Sequence, residues 1–257
     1  MAKVIATVNM KGGVGKSTAT FNLSHALVSR GKRVLAIDAD PQATLTFLFE
    51  QDERALQLAE KTLYYSLVMD KPLSSIVIPT TPALIPSSII LSKADRELMA
   101  TVRYTSSILR EKLREISDNY DYIFIDCPPF LTILTWNALA AAHLVLVPVK
   151  TDLLSILGIP LLLREIEDIR ARDNRGLQIF GVLPTMYNKQ YRNDNETLES
   201  LRAILQEKQI PLLDPIPRST KYDRAASNGK PLIFSSSSAP GADVFYTLAD
   251  QIINHHG

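Results

Sequence analysis

Three of the ten glycines in this 257-residue chain fall within four positions, Gly12, Gly13 and Gly15, inside the octet Lys11-Gly12-Gly13-Val14-Gly15-Lys16-Ser17-Thr18. The octet follows a β-rich run, Lys3 to Asn9, and leads into a stretch of helical character from Lys16 to about Arg30 that Gly31 can end. A strand that passes through small residues directly into a helix turns its backbone N–H groups towards one point, and the helix dipole adds positive potential there. Such a turn suits a phosphate group. The general phosphate-loop pattern places a glycine where this chain has Met10, so the match is imperfect. The chemistry survives the mismatch. Lys16 can reach the β- and γ-phosphates of a nucleotide, the Ser17 hydroxyl can ligate Mg²⁺, and Gly12, Gly13, Val14, Gly15 and Thr18 complete the cradle.

The rest of the chain repeats the strand-loop-helix order. Arg33 to Asp38, Asp121 to Asp126, Leu144 to Val149 and Gln178 to Thr185 are unbroken apolar runs, as strands covered on both faces would be. Helical patterns occupy Thr132 to Ala142, Leu153 to Arg172, Glu196 to Lys208 and Ala242 to Ile253, the last with Val244, Leu248 and Ile252 at helical spacing. The expectation is an α/β fold: one doubly wound, mostly parallel sheet with helices on both faces, residues 1–257 forming a single domain. In such sheets ligands bind at the carboxyl ends of the strands. The polar tract Ser235 to Ser238 reads as a surface loop, and residues 50–110 carry no recognisable motif.

Composition narrows the function. The net charge of +1 excludes a polycationic tail, so nucleic-acid contact would need a local basic patch. A single cysteine, Cys127, excludes a disulfide framework or a Cys-rich metal site within one chain, and it reads as a small buried hydrophobe rather than a nucleophile. The longest strongly apolar run, Leu153 to Leu163, is too short to span a membrane, and the N-terminus has no leader pattern; a cytoplasmic location is expected.

The octet resembles the deviant Walker A box of the ParA and MinD ATPases, and the chain is similar in extent to the short, Soj-like ParA type. The resemblance implies an ATPase with ATP and Mg²⁺ as cofactors. It gives Lys11 the role of a lysine that crosses to the partner's phosphates when two ATP-bound monomers form a homodimer. It makes Asp38, in Asp38-Ala-Asp-Pro-Gln42, the aspartate that orients the attacking water and the Mg²⁺ shell, and Asp126 a Walker B aspartate of that shell. Either aspartate taken alone could be an ordinary helix cap or turn residue. It also places Asn188, which closes Gly181 to Asn188, and Pro217, in the late segment Ile216 to Pro231, beside the adenine.

Members of that family use hydrolysis as a timer for binding a surface. A MinD-like membrane role would need a basic amphipathic tail, whereas the final helix carries Asp243 and Asp250 on its polar face. The ParA branch binds double-stranded DNA without sequence preference, which implies a nucleoid location and an adaptor of the ParB or McdB kind that triggers release. Arg218, Lys221, Arg224 and Lys230 against Asp223 give the late segment a local charge of +3. With Arg192 these residues are the expected DNA contacts. Lys150 stands where some carboxysome-positioning ATPases of the McdA kind use a lysine near the nucleotide, and it is a candidate dimer or phosphate contact alongside Lys11; a plain surface lysine is the alternative. A second function on the same scaffold is an ATP-dependent small-molecule ligase of the dethiobiotin-synthetase kind.

Overall fold

The computed structural model describes residues 1–100, 107–235 and 239–255. Six strands, β1 (Lys3–Thr7), β2 (Val34–Asp38), β3 (Ala83–Ile85), β4 (Tyr122–Asp126), β5 (Leu144–Lys150) and β6 (Gln178–Thr185), form one sheet in the order β3-β2-β4-β1-β5-β6. Every pairing between them is parallel. Parallel neighbours require crossovers, and the helices that make them cover both faces.

The apolar runs divide by alternation. Val4, Ala6, Ile123, Ile125, Val145 and Val147 pack with the helices Ile133–Ala141 and Ile159–Arg172 on one face. Ile5, Phe124, Leu144 and Leu146 pack with the helices Lys16–Ser29 and Ala242–Asn254 on the other. The final helix inserts Phe245, Leu248 and Ile252 into that second layer, and Asp250 pairs with Arg30 on the helix beneath it at 2.7 Å.

Four details depart from the sequence expectation. β3 leaves no sign in the sequence, because three residues are too few to show a period. The stretch from Leu153 to Arg172 is two helices, Leu153–Leu157 and Ile159–Arg172, since Gly158 intervenes and Pro160 has no N–H to continue the first. The next helix starts at Arg192 rather than Glu196, with a polar first turn that includes Asp194. Of the expected loop at 235–238, Ser235 ends the short helix Leu232–Ser235 and 236–238 lie outside the described residues.

Candidate nucleotide-binding site

Strand register brings the acids together. Thr7 on β1 stands opposite Asp126 on β4, and Asp126 stands opposite Asp38 on β2, all three at the carboxyl ends. The loop from Val8 to Gly15 rises from β1 beside them. Gly13 and Gly15 hold φ of +70° and +87°, a region in which a side chain is strained, so glycine is required at both. Thr185, the last residue of β6, donates its hydroxyl to Val14 O at 2.9 Å, and Asn9 Oδ1 accepts the Lys11 N–H at 2.9 Å. Both bonds fix the loop before any ligand arrives. The helix Lys16–Ser29 begins directly after Gly15, with no side-chain cap on its first N–H groups.

The Lys16 ammonium folds back to Lys11 O at 3.2 Å and is buried. Burial lowers its pKa, and the charges of Asp126 and Asp40 oppose that shift. Asp38 is fully buried with its oxygens occupied: Oδ2 accepts the Thr46 N–H and hydroxyl, both at 2.8 Å, and Oδ1 accepts the Asp40 N–H at 3.1 Å. Burial outweighs those bonds and pushes it up to about 7. Asp126 is equally buried and neither oxygen has a hydrogen-bond partner of good geometry; burial and then the Asp38 charge push it well above the carboxylate range, with the Ser17 hydroxyl acting the other way. Asp40, given no role in the sequence reading, also belongs to the site: it is buried, raised by burial, and its charge acts on Lys16. Its signal was the two-residue spacing from Asp38 at a strand end.

A divalent cation fits here. Two unpartnered buried carboxylate oxygens near a serine hydroxyl are hard oxygen donors without a job in the protein. Among the described residues no group of three or more His, Cys, Asp or Glu could hold a metal alone, so phosphate oxygens would complete the coordination, as Mg²⁺ sites in nucleotide enzymes do. Cys127, next to Asp126, is buried and its thiol is pushed well up by burial, in keeping with an inert packing role.

Beside the loop, a cavity of about 300 Å³ is lined by Gly15, Thr18, Thr185, Pro217, Tyr222 and Phe245. Pro217 therefore lines a hollow that opens beside Gly15 and Thr18 of the glycine loop. Asn188 does not line it; its Oδ1 closes a turn on the Gln190 N–H at 3.0 Å, and its N–H donates to Asp194 at 2.8 Å. Arg218 lies on the cavity wall. Backbone bonds from Tyr187 N–H to Ile216 O and from Arg218 N–H to Tyr187 O lay the late segment against the turn that leads to the Arg192 helix. Arg192 itself is exposed and paired with Glu196 at 2.6 Å, while Lys221, Arg224 and Lys230 are exposed on or after the helix Lys221–Ala226.

Lys11 is turned away from its own loop. Its ammonium donates to Asp152 Oδ1 at 3.0 Å and to Ser155 Oγ at 2.9 Å, and Lys150 reaches Asp152 Oδ2 at 3.2 Å. Around this cluster Leu153, Leu154 and Leu157 are 65%, 73% and 65% exposed. Phe130, also exposed, bonds through its N–H to Met10 O in the same loop. These side chains leave apolar area in water next to the charged cluster.

The AAA domain family matches residues 2–179. The chromosome-partitioning ATPase Soj of Treponema pallidum is 34% identical over 100% of this chain and 99% of its own. The chromosome partitioning protein ParA of Caulobacter vibrioides is 36% identical over 98% and 94%. Cobyrinic acid a,c-diamide synthase from Mycobacterium smegmatis, solved with bound ADP and magnesium, superposes with a TM-score of 0.84 at 31% identity, covering 99% of this chain and 95% of that one. Apo McdA of Cyanothece superposes with a TM-score of 0.87 over 98% and 100%, and at 23% identity shares the fold.

Proposed function

The chain belongs to the AAA-domain family of the Soj and ParA chromosome-partitioning ATPases, and we propose that it is a positioning ATPase whose ATP-bound homodimer holds double-stranded DNA until an adaptor triggers hydrolysis. Residues 1–257 act as one ATPase domain in this reading. The loop Gly12 to Thr18 wraps the phosphates with its N–H groups, Lys16 meets the β- and γ-oxygens, and Pro217 bounds the base in the cavity beside Gly15. Asn188 supports that end by shaping the turn next to it. Mg²⁺, held by Ser17 with Asp126 and Asp38 around it, would neutralise charge on the phosphates. Asp38, kept in place by Thr46, orients the attacking water, and the Asp40 charge acts on both Asp38 and Lys16. Catalysis is then positioning and electrostatics, because phosphoryl transfer asks little covalent chemistry of the protein.

The observation that carries the dimer is the direction of Lys11. It leaves its own loop for the rim, where Asp152, Ser155 and the exposed leucines gather. The Lys11–Asp152 pair is about a third exposed on each side, so screening leaves it worth roughly 0–1 kcal/mol, weak enough for a second copy's triphosphate to take the lysine. Lysine supplied in trans then acts as an arginine finger does. The leucines supply the apolar area that such an encounter buries.

Arg192, Arg218, Lys221 and Arg224 supply phosphate contacts whose number doubles when two copies share one face. A nearly neutral monomer holds DNA weakly, so dimerisation acts as the switch. Among the described residues no helix is long and apolar enough to cross a membrane, and the surface proposed is the nucleoid, with the protein in the cytoplasm. A ParB-like or McdB-like adaptor and its plasmid, chromosome locus or carboxysome-like cargo complete the cycle.

The test is a gel shift with nonspecific duplex DNA. Retardation with ATP and Mg²⁺ but not with ADP is expected, and Arg192→Ala or Arg218→Ala, each removing two phosphate contacts from the dimer, should lower the salt slope by about two. DNA binding that ignores the nucleotide removes the switch. The likeness to the Mycobacterium smegmatis synthase favours a second reading, ATP-dependent activation of a small carboxylic acid. A protein that never retards DNA, yet consumes ATP only with such an acid and an amine donor, would be that enzyme.

A further inference from the structure

Two lysines converge on one carboxylate where β5 ends. Asp152 Oδ1 takes the Lys11 ammonium at 3.0 Å and the Ser155 N–H at 2.9 Å, while Oδ2 takes the Lys150 ammonium at 3.2 Å. Asp152 cannot follow Lys11 if the lysine moves, because it caps the helix Leu153–Leu157 and its own N–H is bonded to Lys150 O at 2.8 Å. Burial would raise this carboxyl, but the bonds from Lys11, Ser155 and Lys150 outweigh it and hold it at about 2. It stays charged. Departure of Lys11 therefore strips Asp152 of its nearer cation, and the cost falls on whatever draws Lys11 away. Lys150 is anchored differently from Lys11: its backbone lies in β5, in register with Thr185, rather than in the glycine loop.

We propose that Lys150 is a positioning residue for Lys11, a standing counter-ion that keeps Asp152 neutralised when Lys11 leaves for the phosphates of a second copy of the chain. The inference rests on the dimer reading above. It gives Lys150 no contact of its own with nucleotide or partner. Two cations on one carboxylate make the release of the mobile one cheaper, because the Coulomb attraction it gives up is already shared.

A double-mutant cycle tests it, with ATP-dependent dimerisation followed by light scattering on the full chain. Lys150→Ala should weaken dimerisation by about 3- to 10-fold, as expected for coupled neighbouring charges. Asp152→Asn, whose asparagine still caps the helix, should dimerise at least as well as wild type. In the Asp152→Asn background Lys150→Ala should change nothing further. An equal loss in both backgrounds means that Lys150 acts on something other than Asp152 and overturns the proposal, as does an unchanged Lys150→Ala protein. A wild-type chain that stays monomeric with ATP sinks the dimer reading instead, and the nucleotide-free monomer then decides. There, acylation of the Lys11 amine, read by mass spectrometry, should slow by about 2- to 3-fold in Lys150→Ala and quicken in Asp152→Asn, the change in pairing a weak surface contact allows. Lys11 reactivity that is unmoved by Lys150→Ala overturns the counter-ion.

Discussion

Asp38 and Asp126 are register partners on adjacent parallel strands, both fully buried, and Asp38 holds three hydrogen bonds while Asp126 holds none of good geometry. Burial raises both pKa values, that of Asp38 to about 7, and the Asp38 charge lifts Asp126 further. A carboxyl whose folded pKa exceeds its unfolded one contributes stability that is full below about pH 4 and is lost as pH rises towards the folded value. The nucleotide-free chain should therefore lose stability to urea between about pH 5 and pH 8. Asp126→Asn removes a carboxyl that burial keeps protonated in the folded chain while the unfolded chain ionises it, and should raise the unfolding free energy by roughly 1–3 kcal/mol at the upper pH and little at the lower. An Asp126→Asn protein with the wild-type slope would mean that Asp126 ionises in the folded chain as readily as in the unfolded one.

Lys11 and Lys16 share one loop but point to different places, so their variants should separate. Lys11→Ala should keep nucleotide affinity, because the cradle and Lys16 are untouched, and should lose ATP-dependent dimerisation and the partner-stimulated rate by roughly 10³ or more. Lys16→Ala should lose nucleotide binding first. Fluorescent-nucleotide titration beside light scattering reads both quantities, and a Lys11→Ala chain that dimerises normally with ATP refutes the trans lysine.

The parts of this site legible in the sequence are those where one residue type has one job. Gly13 and Gly15 announce a turn because only glycine tolerates their φ, and strand-end aspartates after apolar runs such as Tyr122 to Asp126 fall on the ligand edge of the sheet by topology alone. The break at Gly158 and Pro160 was available to local chemistry and was overridden by the apolar period around it. What stayed hidden depends on partners distant in sequence: the Lys11 ammonium meets Asp152 141 residues away, and nothing around Asp152 marks it. The middle of the chain was opaque for another reason. Its helices, Glu53–Leu58, Leu63–Leu67 and Ala94–Met99, span six residues or fewer, too few for a period to repeat. Asn188 shows a third limit: its side-chain oxygen closes a turn on the Gln190 N–H, a bond that the apolar run before it gives no sign of.

The leucine face allows a test that leaves the fold alone. Leu154 and Leu157 are largely exposed, so Leu154→Glu or Leu157→Glu should change stability by no more than about 0.5 kcal/mol. If this face meets a second copy, each carboxylate would be buried against leucines, and ATP-dependent dimerisation should fall below detection while nucleotide binding persists. Size-exclusion chromatography with ATP reads the outcome, and an undiminished dimer moves the interface elsewhere.

His25 supplies the acid limb of stability, far from the chemistry. It is buried against Phe21, Phe49 and Phe234, with ring centroids at 4.5, 5.5 and 5.9 Å, and its Nδ1–H donates to Phe21 O at 2.7 Å. Burial lowers its pKa to about 4, against that hydrogen bond. Here the unfolded chain takes up the proton first, so the stability held by the neutral ring is intact above about pH 6.5 and is lost as pH falls towards 4. The shift corresponds to roughly 3 kcal/mol at most across that window. His25→Phe keeps the aromatic packing and removes the titration, so its urea midpoint should vary less than that of the wild type between about pH 7 and pH 4.5. If both proteins weaken in parallel on acidification, the ring is already charged in the folded chain and the aromatic cluster holds an imidazolium.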